Sequence, residues 1–407
     1  MKRELLGAAA GIGLIVLVIG GVAVFRTSGA PSSDQVAAQM QEAEAAYARG
    51  EYGRVAGLLE EPAEAGNPLA QFRLGMMYRQ GFGVAVDRDE ALAWLEMAAG
   101  NAHEDAIEPL IEIYLEKAGE AETLEDGVEW FDRAAQRGST DAQAVLGSYY
   151  LTGTAVERDT RRGIALLEEA AEAGDPRAQT NLGYAYMQGL GVARDPAQAF
   201  AWYHQAADAG LVRAQPVLGM MYQTGQGTEA DLNEAIRWYL NAYDAGAPGA
   251  GALLGNLVIS GDVSARDAAE AASWVSASAV AGNPQALTWL ETEARSGQAQ
   301  ALAALGRFYD EGEVVPQNAA RALDYYQQAA EAGVPFAQLE MAGRYAAGQG
   351  VEQDYVQAHV WANLAAAAGQ EGAAAERNVI AQFLSPEELA EAQSRATRWR
   401  EEQAQND

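Results

Sequence analysis

The chain has 407 residues, no cysteine, and 57 Asp and Glu against 27 Lys and Arg, for a formal net charge of −30. The absence of thiols excludes disulfides, cysteine nucleophiles and thiolate metal sites together. So acidic a sequence also argues against nucleic acid as a partner, because that binding rests on Lys and Arg neutralising phosphates.

Leu5 to Phe25 carries no charge over 21 residues. As helix it covers roughly 30 Å, one hydrocarbon core. A cleaved signal has an apolar run of only about 7 to 15 residues, and the one small-residue candidate site, Ser28-Gly29-Ala30, is followed by Pro31. The segment 5–25 therefore reads as an uncleaved transmembrane anchor. Lys2 and Arg3 precede it and only Arg26 follows closely, which places residues 1–4 in the cytoplasm and the remainder across the membrane. In a bacterium this is a single-pass inner-membrane protein with a periplasmic body. Gly7 and Gly11 form a small-xxx-small pair, a route to weak self-association of two anchors. Residues 26–33 read as a linker.

Beyond the linker, Ala dominates the apolar residues and β-branched and aromatic clusters are thin, so helix is expected. Gly66, Ala102, Gly138, Gly174, Gly210, Gly246 and Gly282 recur at a step of 36. The same step carries Trp94 to Trp130, Leu166, Trp202, Trp238 and Trp274, and relates the Leu-Gly pairs at 74–75, 146–147, 182–183, 218–219 and 254–255. Such a period marks units that bury their apolar faces only against neighbours, a solenoid. Within one unit Ala178, Leu182 and Tyr186 lie on one helical stripe, and Ala199, Trp202 and Ala206 on a second. Each unit is thus two helices.

The loop "QGLGVARDP", residues 188–196, could suggest a phosphate cradle, but its type recurs at 81–84, 225–228 and 348–351. Gly189 suits a left-handed helix C-cap. Asp195 suits an N-cap with Pro196 at the first helical position. Asp87, Asp159, Asp231, Asp267 and Asp354 fall at equivalent places, with Asn318 as a substitute. The loops are turns, and no nucleotide motif accompanies them. The recurring rings are packing positions: each buries on the order of 150–250 Å², roughly 4–6 kcal/mol as an upper bound. Glycine in mid-helix costs about 1 kcal/mol, which close helix contact would offset.

The combined pattern A-x-x-x-L-G-x-x-Y-x-x-G-x-G-V-x-x-D-x-x-x-A-x-x-W-x-x-x-A-A-x-x-G resembles the Sel1-like repeat family, a branch of the tetratricopeptide-like solenoids. Residues 178–210 match it almost throughout, and the resemblance covers about residues 67–369. It implies an all-α fold, a right-handed α-α superhelix, used for protein recognition and assembly, often as a membrane-linked or envelope adaptor.

Three departures stand out. The unit at 103–138 lacks the loop glycines and offers Thr123 with Asp126 as caps, and residues 34–66 look like a plain tetratricopeptide hairpin. The step from Gly282 to Gly297 is only 15 residues. The expected organisation is a first arm at 34–282, a shortened repeat at 283–297 that bends the stack, a second arm at 298–369, and capping helices and tail at 370–407. In the last of these, Ser385 to Glu388 is a capping box.

Function is expected on the outer side of the first helices, at positions like 72, 76 and 79, which would line a concave face. Read across the units, these give Phe72, Met76, Leu115, Leu151, Tyr184, Met187, Met220 and Ile259. Methionines and aromatics there suit a segment of another protein. An enzyme is disfavoured: the only lysines are Lys2 and Lys117, S-x-x-K fails because residue 114 is Tyr, and no G-x-S-x-G occurs. His103, His204 and His359 are scattered and form no HExxH. No catalytic, cofactor or metal residue is assigned. The expected function is a membrane-anchored, non-enzymatic scaffold, with a glycan-binding or polysaccharide-export solenoid as the alternative.

Overall fold

The computed structural model describes residues 31–406. The anchor expected at 5–25 and its Gly7–Gly11 pair lie outside the described residues. Among those described, no helix is long and apolar enough to cross a membrane.

The described residues form twenty-one α-helices and three short 3-10 turns, with no strand. They fall into two compact units, divided between Gln143 and Ala144. The first holds three hairpins: α1 (Ser33–Ala48) with α2 (Tyr52–Glu64), α3 (Pro68–Gln80) with α4 (Arg88–Gly100), and α5 (Ile107–Glu120) with α6 (Leu124–Gln136). The unit boundary falls inside α7 (Thr140–Thr152).

The second unit continues through α8 (Thr160–Glu172), the hairpins α9 (Pro176–Gln188) with α10 (Pro196–Asp208), α11 (Gln215–Thr224) with α12 (Leu232–Asp244), and α13 (Ala250–Ser260) with α14 (Ala268–Val280). A single helix, α15 (Pro284–Arg295), follows. Then come α16 (Ala299–Glu311) with α17 (Ala319–Glu331), α18 (Pro335–Ala347) with α19 (Tyr355–Ala367), and the closing helices α20 (Ala373–Ile380) and α21 (Pro386–Asn406).

The turn chemistry explains why the hairpins start and stop where they do. Gly189 takes φ 72° at the end of α9 and its N–H closes on the Ala185 carbonyl. The Asp195 carboxylate then accepts from the backbone N–H groups of Ala197 and Gln198 at 3.0 and 3.2 Å. Asp87, Asp159, Asp231, Asp267, Asn318 and Asp354 cap their helices in the same manner. So do Thr123 at α6 and the Ser385–Glu388 box at α21.

The second loop glycine has a further reason. A Cβ on Gly227 would sit 2.0 Å from the Pro196 carbonyl oxygen, and one on Gly191 2.9 Å from Thr160. Each loop therefore rests directly on the first turn of the preceding repeat's second helix. Where Ala155 replaces this glycine it still takes φ 61°, a conformation that costs an L-residue roughly 1–2 kcal/mol.

Successive repeats are tied by a buried glutamine. Gln71 donates to the Ala63 carbonyl at 2.9 Å, Gln179 to Ala171 at 3.3 Å and Gln338 to Ala330 at 3.2 Å. Each adds a second donor to a carbonyl at the end of the previous helix that already accepts the N–H of Gly66, Gly174 or Gly333.

The shortened repeat is not a boundary between compact units. Ala286, Leu290 and Ala294 of α15 pack with Ala272, Val275 and Ala279 of α14 and with Leu302 and Leu305 of α16 in one continuous core. That core reaches Ala392 and Ala396 of α21.

Removal of one cap should be visible in isolation. Asp195→Ala should lower stability against urea by about 1 kcal/mol, with the far-ultraviolet helix signal of the native protein unchanged; an undiminished midpoint would contradict the capping role.

Candidate protein-interaction face

Positions 76 and 79 of the repeat generate two rows on the first helices. One runs Met76, Glu112, Ser148, Tyr184, Met220, Asn256, and the other Arg79, Leu115, Leu151, Met187, Gln223, Ile259. The rows differ sharply in character between the two units.

In the first unit the face is ionic. Phe72 and Met76 are half-buried, and Phe72 stacks on His103 with ring centres 4.6 Å apart. Leu115 is also half-buried. Around them Arg79 pairs with Glu112 and lies 3.9 Å from Glu116, Arg88 lies 3.8 Å from Glu116 and 2.5 Å from Glu120, and Lys117 meets Asp89 at 2.7 Å. The expected apolar stripe is thus replaced by a ladder of charges joining α3, α4 and α5. Each exposed pair is worth about 0.2–1 kcal/mol, so the ladder offers charge complementarity more than stability.

In the second unit the residues separate into three environments. Leu151 is a core residue, 2% exposed, in a cluster with Ile164, Leu167 and Ala171, so the expectation that it lines a surface is corrected. The cause is Gly163 on α8: a Cβ there would lie 2.8 Å from the Leu151 backbone nitrogen, and this close approach swallows the leucine. Met187 and Ile259 are half-buried and pack against the cores beneath them. Tyr184 and Met220, one repeat apart, are 48% and 47% exposed. They are what remains of the stripe as an apolar surface.

Tyr184 lies over a rigid base. Directly below, Gly183 faces the ring of Tyr203, whose Cδ2 would be 2.8 Å from an added Cβ. Burial, helped by the neighbouring Tyr184, pushes the Tyr203 phenol up to about 12. Burial alone brings the Tyr239 phenol, which donates to Gln223 at 2.8 Å, to about 12 as well.

A second exposed group was not legible in the repeat pattern. Tyr47, Tyr52 and Phe82 are 58%, 38% and 47% exposed, with ring centres 5.4 and 5.7 Å apart along the series. Phe82 sits between the loop glycines where Leu190, Gln226 and Gln349 stand elsewhere. An aromatic at that variable site, beside tyrosines flanking Gly50, is the one sequence signal that could have found it. Among the described residues no cluster of acidic and histidine side chains could hold a metal ion.

Capped hairpins of fixed length, loops seated on the preceding repeat and an inter-repeat glutamine define a helical-hairpin repeat protein. The Sel1 repeat matches residues 68–103, 124–139, 140–175, 176–211, 213–246, 299–334 and 335–370, more than half of the chain. The chain belongs to the Sel1 repeat family, whose members are generally scaffolds for protein–protein interaction. Residues 34–66 and 283–297, set apart above as a plain hairpin and a shortened repeat, fall between or outside the matched segments.

Among solved structures the chain is similar to a protective antigen of uropathogenic Escherichia coli strains with an SLR fold, at 26% identity, covering 90% of this chain and 94% of that one, with a TM-score of 0.40. It is also similar to a Sel1 repeat protein from Oxalobacter formigenes, at 25% identity, covering 89% and 98%, with a TM-score of 0.44. No curated protein matches the chain.

The tyrosines predict an alkaline limit. A phenol that ionises near 10 when unfolded and near 12 when folded adds stability that is intact below about pH 10 and lost as pH rises through about 12. Denaturant midpoints should hold to about pH 10 and then fall, and Tyr203→Phe with Tyr239→Phe should flatten that fall; an unchanged alkaline slope in the double variant would contradict the assignment.

Proposed function

We propose that the protein is a membrane-tethered, non-enzymatic scaffold that holds a protein partner on the first-helix face of its second unit. One observation carries this proposal: Tyr184 and Met220 are large apolar side chains left about half exposed at the same position of successive repeats in a strongly acidic chain. Both flank glycines, Gly183 and Gly219, that are pressed against buried rings, so the partner meets side chains on a rigid support. A tyrosine and a flexible methionine at one helical position suit an apolar segment of another polypeptide.

The anchor at residues 5–25 would keep this face at a bacterial inner membrane, with the amino terminus cytoplasmic and the repeats, wound as the right-handed superhelix the family resemblance implies, in the periplasm. Tethering raises the effective concentration for a membrane-bound target. The exposed Tyr47–Tyr52–Phe82 group favours a second reading, glycan binding on stacked rings, which a glycan array with Tyr52→Ala and Phe82→Ala variants distinguishes from protein capture.

The direct test is crosslinking in intact cells followed by mass spectrometry. Tyr184→Ala with Met220→Ala should reduce the captured partner at least tenfold, while the thermal midpoint of the purified protein stays within about 2 °C of the parent, as expected for surface changes. Retained capture, or loss of capture together with a large loss of stability, would sink the reading.

A further inference from the structure

A groove lies beside the shortened repeat in the second unit. It runs between the start of α13, the outer side of α14, α16 and the start of α18, with a volume of about 650 Å³. It is large enough for a short peptide. Most of its wall is Gly and Ala, which alone would be only a stripe of small residues.

Three further observations give it chemistry. None of its lining residues is acidic, although the chain carries 57 Asp and Glu. Its one charge is Arg307, whose buried Nε has no hydrogen-bond partner and whose one ion-pair contact among the described residues, Glu311, is 3.9 Å away. Ser276 of α14 is 6% exposed, lines the groove, and makes no hydrogen bond among the described residues. The Ser276 hydroxyl has no protein partner among the described residues to compete with a ligand in the groove, and the Arg307 side chain, 43% exposed, is within a ligand's reach beyond its buried Nε. At the equivalent position stand Leu240 and His204 in the two preceding repeats and Gln327 in the following one.

We propose that the groove captures the free carboxylate end of a polypeptide built of small residues. The Gly and Ala walls admit a backbone rather than bulky side chains. Arg307 supplies the charge and donors that match a carboxylate, and Ser276 adds a donor within the groove. Charge complementarity selects this occupant: within a strongly acidic protein, this is a cavity lined by no acid whose one charged residue is the cation Arg307. The site includes neither Tyr184 nor Met220, so its failure leaves the reading of that face untouched.

The test uses the full chain in detergent micelles and three fluorescein-labelled peptides: trialanine with a free carboxylate, the same peptide amidated, and amidated Ala-Asp-Ala. Anisotropy titration should show the free acid binding at least tenfold more tightly than either amide, with Arg307→Gln abolishing the difference and Ser276→Ala weakening the free acid several-fold. Equal binding of acid and amide, no binding of any peptide, or an unchanged preference in Arg307→Gln would overturn the proposal, and so would binding of the Asp peptide as tight as the free acid. The comparison of peptides on the parent protein does not depend on how any variant folds.

Discussion

Six of the hairpins are held by a contact that admits no side chain on one partner. The glycine of the Leu-Gly pair lies in the middle of the first helix, and the residue twenty positions on, in the second helix, presses onto it. An added Cβ would come within 2.8 Å of the Tyr203 ring at Gly183, 2.6 Å of Tyr239 at Gly219, 2.7 Å of Tyr326 at Gly306, and 2.7 and 2.6 Å of leucine side chains at Gly75 and Gly147. At Gly255 it would meet the Trp274 backbone oxygen at 2.2 Å. Glycine in a helix interior costs about 1 kcal/mol relative to Ala, and here the loss is offset by rings that become almost fully buried: Tyr239 is 0% exposed, Tyr326 1% and Trp274 1%.

The spacing set by this contact passes from one repeat to the next. Because the two helices lie so close, the loop between them reaches back to the preceding repeat, where its second glycine seats on the opening turn of the second helix, as Gly227 does on Pro196. The buried glutamines then close the other end. Toward the carboxyl end the same logic gains an ionic element: Arg344 of α18 covers the Tyr326 ring at 4.6 Å and reaches Asp310 at 2.8 Å and Glu340 at 2.6 Å. A face displayed on such hairpins is rigid, which suits side chains that must meet a partner without reorganising.

The helical hairpins, their caps and the role of the mid-helix glycines were legible because each depends on residues within one repeat. Asp195 caps α10 through atoms two and three residues away, and a sequence with a 36-residue step writes that rule out many times. The exposed face was not legible, because it depends on what a neighbouring helix carries. Leu151 and Met187 share a repeat position, yet Gly163 draws α8 over the first, while Met187 stays half-buried. Arg79 and Glu112 share positions with Leu115 and Met76, and their pairing turns that side of the first unit ionic. The shortened repeat was visible as a missing stretch of sequence, but not the continuous core through Leu290 or the groove beside it, since both arise from α14 and α16 closing around α15.

Glycine at the centre of a first helix is either required by the opposing ring or merely tolerated in the helix. Gly219 and Gly343 decide it, because both stand inside first helices, and a Cβ at Gly343 would meet nothing within 4 Å. Urea denaturation of Gly219→Ala and Gly343→Ala should show the first losing about 1–3 kcal/mol from overpacking and the second unchanged or gaining up to about 1 kcal/mol from helix propensity. Equal stability of the two variants would contradict the claim that ring-on-glycine contact sets the repeat.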